Sequence, residues 1–169
     1  MKKLLALSLL LMAFASVESL AQDKKPASPK ETVEGTIDGT KVTIVYHRPS
    51  VKGRKVMGDL VPFGQVWRTG ANDATTITFD KAVTIEGKAL AAGTYSLFTI
   101  PSENEWTIIF NSEAKQWGAY KYNDKNDVLR VNVKPGKAEF TEMFTISVDK
   151  GAVNIIWENT SASFKVKKG

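Results

Sequence analysis

His47 is the only histidine in the chain, and so the only side chain whose ordinary pKa lies near neutrality. A general base there would need a carboxylate partner, for which Asp59 or Asp73 could serve. Alternation sends Val42, Ile44 and Tyr46 to one face and His47 to the other, beside Lys41 and Thr43. The pattern therefore favours a surface histidine. The charge around it is uneven: Arg48, Lys52, Arg54, Lys55 and Arg68 face only Asp59 between positions 47 and 68. Guanidinium forks bind phosphate, sulfate or carboxylate groups bidentately, which makes this cluster a candidate anion clamp. The competing reading is structural. Arg48 follows Tyr46 on the inward face, where a guanidinium needs a carboxylate or carbonyl. The arginines would then pin a long loop through backbone carbonyls and Asp59 or Asp73, and this reading leads.

Trp67-Arg68-Thr69-Gly70-Ala71-Asn72 joins an aromatic plane, a cation, small residues and an amide within a short span. It could present a sugar-stacking platform. It could also be a buried Trp beside a tight turn, with Gly70 at positive φ and Asn72 capping, and the turn is favoured. Val66 and Trp67 cannot both face the core of one regular strand. Trp117, Tyr120 and Tyr122 lie in a polar stretch near Lys115 and Lys121. Aromatic residues among polar ones suit a glycan or protein contact surface, and equally the cover of a sheet edge.

Other chemistry is harder to find. The chain has no cysteine, which excludes disulfides, thiol nucleophiles and thiolate metal sites. With one histidine as well, no closed structural zinc site is expected, and no loop has EF-hand spacing. Glu103 with Glu105, and Asp124 with Asp127, lack an apolar setting that would raise one pKa of the pair. Nucleophile-elbow, phosphate-loop and His-Glu-x-x-His patterns are absent. Asn159-Thr160-Ser161 matches a glycosylation acceptor, a pattern short enough to arise by chance. The expectation is no catalytic residue, no metal site and no cofactor. A net charge of +5 hints at anionic neighbours, but nothing resembles a nucleic-acid signature, so no nucleic-acid partner is expected.

The positioning elements begin after a leader. Lys2 and Lys3 precede an apolar run from Leu4 to Val17, and Ser19-Leu20-Ala21 offers small residues for cleavage. The run is shorter than the roughly 20 residues of a spanning helix, and Glu18 closes it. Residues 1–21 are expected to be an export signal, leaving no transmembrane segment in the mature chain. Without cysteine the protein is not a lipoprotein, so a periplasmic or secreted location follows. Gln22 to Lys30 reads as a flexible lead-in. The rest, 31–169, is long enough for one domain that folds without staples.

That domain reads as all-β. Asp38-Gly39 suits a type I′ turn between Thr32–Ile37 and Thr40–Tyr46, and Glu86-Gly87 marks a second hairpin. Thr94–Ile100, Trp106–Asn111 and Val128–Val133 follow. Further strands carry Phe144, Ile146 and Val148, then Val153, Ile155 and Trp157, then Phe164 and Val166. About ten strands predict an antiparallel β-sandwich. A helical turn is expected at most over Ser112–Trp117. Pro49–Phe63 and Lys115–Asn126 break the rhythm, and long loops are where a site is sought.

Several segments carry a resemblance: Tyr46 to Arg54, Leu60 to Gly64, Trp67 to Asn72, Ala92 to Leu97, Glu105 to Asn111 and Trp117 to Tyr120. In this order they resemble the bacterial domain-of-unknown-function family 2911, from about Ser28 to Trp157. The resemblance implies an exported or envelope-associated β-sandwich-like protein. It implies no substrate, cofactor or catalytic residue. The site expected from the residues is Arg48, Arg54, Trp67, Arg68 and Asn72, holding a carbohydrate or anionic small ligand without catalysis. The alternatives are an envelope glycan- or ester-processing hydrolase and a purely structural or protein-interaction domain.

Overall fold

Two-residue turns fix the hairpins where the sequence places them. In the computed structural model, which describes residues 27–169, Asp38 and Gly39 have φ of 48° and 75°. They join β1 (Lys30–Ile37) to β2 (Thr40–His47) in register from Ile37↔Thr40 to Lys30↔His47. Glu86 and Gly87, at 47° and 82°, do the same for β4 (Val83–Ile85) and β5 (Lys88–Leu90). Positive φ at both turn positions matches the twist of the flanking strands. The expected export signal and most of the lead-in lie outside the described residues. Among those described, no helix is long and apolar enough to cross a membrane.

The other strands are β3 (Thr76–Phe79), β6 (Gly93–Ile100), β7 (Trp106–Asn111), β8 (Asp127–Val133), β9 (Gly136–Asp149) and β10 (Ala152–Lys168). They form an antiparallel sandwich. One sheet has the order β1-β2-β3-β6-β7-β8, the other β5-β4-β10-β9. The number of strands agrees with the expectation, but its make-up does not. The sequence pattern does not delimit β3, and it divides β10 in two. Val153, Ile155 and Trp157 point inward at odd positions, whereas Ala162, Phe164 and Val166 do so at even ones. Register shifts between Ile156 and Thr160, with Glu158 at φ 55°, absorb the change of parity inside one continuous strand.

The core lies between the sheets. Ile44, Tyr46, Ile77, Phe79, Leu97, Trp106, Ile108 and Phe110 meet Ile85, Phe144, Ile146, Ile155, Trp157 and Phe164, all nearly inaccessible. The edges of the two sheets meet at β1 and β9. A Cβ on Gly35 would lie 2.6 Å from Val148 Cγ1, so no side chain fits there. Nearby, the Tyr46 hydroxyl accepts from Ile146 N–H at 3.0 Å, and burial pushes its pKa up.

A smaller apolar layer covers the outside of the six-stranded sheet. Phe98, Ile109 and Ala74 are buried there with Val66, Ala119 and Tyr122 packed around them. Two long loops supply this cover, so β6 and β7 are buried on both faces. The second loop has no helical turn at Ser112–Trp117. Glu113 N–H and Gln116 Nε2 both bond Asn111 Oδ1, and those side-chain bonds displace helical backbone pairing. The one 3₁₀ turn among the described residues is Asp124–Asn126, capped by Asn123, whose side chain accepts from Lys125 N–H.

Candidate functional site: a cationic cavity beside a tryptophan pair

The loop after β2 crosses from one sheet to the other. Phe144 N–H donates to Pro49 O at 2.9 Å and Val51 N–H to Glu142 O at 2.8 Å, which seats residues 49–51 on the edge strand β9. Arg48 fixes the crossing. Its Nε donates to Phe144 O at 2.9 Å, Nη2 to Thr145 Oγ1 at 2.9 Å and Nη1 to Glu31 Oε2 at 2.6 Å. The carboxylate partner is Glu31 on β1, not Asp59 or Asp73, because β1 pairs alongside β2 and brings Glu31 opposite Tyr46. Arg48 is a pin between the sheets.

Lys52 and Gly53 then turn the chain at φ of 49° and 68°. Arg54 reaches back with Nε to Val51 O at 2.9 Å and Nη2 to Ser50 O at 2.7 Å. It closes the turn while keeping Nη1 for other use. Val56, Met57 and Val61 are buried against the core, and Val56 N–H donates to Glu158 Oε2 at 3.0 Å. The bulge in β10 thus presents the carboxylate that anchors this loop.

Trp67 is 8% exposed. It pairs with Thr99 through both backbone bonds, at 2.8 and 2.9 Å, and so extends the line of β3 along β6. Its indole stacks on Trp157 at 5.9 Å and 17°, with Trp106 and Phe144 edge-on. Val66 goes to the outer layer, so the parity conflict is resolved with Trp67 inward. Between Trp67 and β3 the chain leaves the sheet and returns, because Leu97 N–H bonds Thr75 O and Thr75 N–H bonds Arg68 O. The excursion is tight. Trp67 Nε1 donates to Gly70 O at 3.1 Å, and Thr75 Oγ1 to Thr69 O at 2.6 Å. A Cβ on Gly70 would lie 3.0 Å from His47 O. Thr69, fully buried, has φ 54°, a rare conformation for a β-branched residue that its hydrogen bonds sustain.

These elements border an open pocket of about 370 Å³. Trp67, Trp157, Leu60, Val61 and Ala71 give it an apolar lining, and Lys52, Arg54 and Arg68 add three cations with no carboxylate. No carboxylate pairs with these three among the described residues. Arg68 Nε is buried without a partner, and Nη1 lies 3.7 Å from the place a Cβ would take on Gly118. The volume falls in the range of small-ligand pockets.

Of the five residues expected to bind, the fold brings Arg54, Trp67 and Arg68 to this cavity. Arg48 is outside its lining. So is Asn72, whose carbonyl accepts from Gly118 N–H at 3.0 Å in a turn at φ 57°. Lys52 and Trp157 are lining residues that the expected set does not contain. Lys52 sits in the basic cluster itself, whereas Trp157 comes from a strand far along the chain and carries no local signal. His47 lies on the outer side, in a groove with Asp73, and no hydrogen bond or ion pair joins them. Among the described residues no group of three or more acidic or histidine side chains is placed to hold a metal ion.

A two-sheet antiparallel sandwich, with a loop-lined pocket whose charged residues are cationic among those described, is the class that fold and site define. The chain belongs to the family described as protein of unknown function (DUF2911), whose match covers residues 28–166. No curated protein and no solved structure matches it.

Proposed function

We propose that this is an exported, non-catalytic binding protein that takes a small ligand bearing phosphate, sulfate or carboxylate groups, charged sugars included, into the cavity beside Trp67. The observation that carries this is the one-signed lining. Lys52, Arg54 and Arg68 line the pocket beside apolar Leu60, Val61 and Ala71, with no carboxylate among the described lining residues, so an anion bound there would gain charge-assisted hydrogen bonds in a partly desolvated setting. Glycoside hydrolysis would need two carboxylates at the bond to be cleaved, and among the described residues this lining has none. Export rests on the Lys2-Lys3 start, the apolar run to Val17 and the small residues before Gln22.

A thermal-melt series tests the binding reading. Inorganic phosphate, sulfate, and phosphorylated or sulfated sugars are added to the purified protein and to Lys52→Gln and Arg68→Gln variants. A ligand at 100 times its Kd stabilises by about 2.7 kcal/mol. The expected result is a shift with an anionic ligand that shrinks in both variants. No shift across the series, or one that the variants leave intact, would overturn the reading. Export is tested separately by fractionating cells that express the full chain; retention of the uncleaved protein in the cytoplasm would refute it.

A further inference from the structure

Trp117 is 63% exposed and Tyr120 84%. Both sit on the outer side of the six-stranded sheet, on a loop held firmly from below. Tyr122 donates to Asp127 Oδ2 at 2.5 Å, and Asn111 Nδ2 donates to Asp127 Oδ1 at 2.8 Å and to Asn123 O at 3.0 Å. Trp117 bridges Asp73, and Gly118, at φ 64°, carries the Tyr120 ring so close that a Cβ would lie 2.9 Å from it. The aromatic pair is therefore displayed on a fixed support.

Trp117 lines two adjoining grooves, of about 450 and 400 Å³, which also share Lys115 and Gln116. Their chemistry differs from that of the cationic cavity. One adds His47 and Asp73, the other Lys121 and Glu113, so both signs of charge and both hydrogen-bonding senses flank the indole. Gln116 donates through Nε2 to Asn111 Oδ1 and Glu113 O, which fixes its amide, while its buried Oε1 has no donor.

We infer that Trp117 and Tyr120 form a second binding site, for the pyranose rings of an oligosaccharide. Such a ring offers an apolar C–H face to an aromatic plane and a rim of hydroxyls that donate and accept. The mixed lining suits that rim, whereas a single-signed lining would select a charged group. A protein partner would want more contiguous apolar surface. The other exposed large apolar residues, Leu60, Phe63, Val128 and Phe140, line neither groove.

The chain's four tryptophans make the test selective, because Trp67, Trp106 and Trp157 are at most 8% exposed. Acrylamide quenching therefore reports chiefly on Trp117. The full chain is titrated with neutral tetrasaccharides of glucose and of N-acetylglucosamine, in parallel with Trp117→Ala, Tyr120→Ala and Phe140→Ala. The expected result is protection from quenching by one sugar series. Calorimetric affinity should fall by about tenfold or more in Trp117→Ala, fall less in Tyr120→Ala, and hold in Phe140→Ala. Absence of binding to either series would overturn the inference, as would equal affinity in Trp117→Ala. A melting temperature unchanged in Trp117→Ala shows that the loss is not one of folding.

Discussion

Trp67 and Trp117 each lie outside the ten strands, and each belongs to an isolated bridge, Trp67 with Thr99 and Trp117 with Asp73. Yet the first is 8% exposed and the second 63%. The difference lies in what stands above each ring. Trp67 continues the line of β3, so its side chain faces the second sheet and lands on Trp157 and Phe144. Trp117 pairs with an excursion that already overlies the sheet, and among the described residues no further layer covers it. One site is thus built from core packing and charge, the other from a polar scaffold that lifts aromatic rings into solvent.

The sharpest way to break this comparison is to truncate both rings. Trp67→Ala is expected to cost about 3–5 kcal/mol in urea unfolding, because it opens a cavity among three aromatic neighbours. Trp117→Ala should stay within about 0.5 kcal/mol of the parent. Similar losses in the two variants would mean that Trp117 is packed as well.

A smaller contrast separates the cations. Arg48→Ala removes three bonds, one to a carboxylate, and should cost about 2 kcal/mol. Lys52→Gln, at an exposed side chain without an ion-pair partner among the described residues, should change stability by less than about 0.5 kcal/mol. Urea midpoints at constant slope measure both. A cost for Lys52→Gln equal to that of Arg48→Ala would move Lys52 into the structural group.

Much of this arrangement is legible in the sequence, and its gaps have physical causes. The Asp38-Gly39 and Glu86-Gly87 turns can be read because two residues with positive φ leave a strong local mark. The need of Arg48 for a partner can be read too, but not that Glu31 would meet it, since that depends on strand pairing. β3 has only four residues and lacks a turn signal of its own on its N-terminal side; its register comes from β2 and β6. Trp157 borders the pocket from a distant strand, and the bulge at Glu158 that lets β10 run on is set by a backbone conformation rather than a residue pattern. Spacing along the chain reveals neighbours on one strand and is silent on which strands meet.

The finest test concerns the support under Trp117. Burial, and then Asp127, push the Tyr122 phenol up from its ordinary value of 10.0 to about 12. The folded protein therefore favours the neutral phenol, which donates to Asp127, over the phenolate, which would repel it. The stabilisation is fully present below pH 10.0 and is lost as the pH rises towards about 12. In that window the parent should lose about 1 kcal/mol relative to Tyr122→Phe, which has no proton to release. The Phe variant should begin about as much less stable at neutral pH, so the two curves converge as alkali is added. Hydrogen exchange should place the parent's loosening in residues 112–126 while the Trp67 neighbourhood stays protected. Parallel curves would mean that Tyr122 does not fasten the loop. A loss of protection around Trp67 would mean that the two regions are coupled, and that the outer aromatic site is not an independent layer.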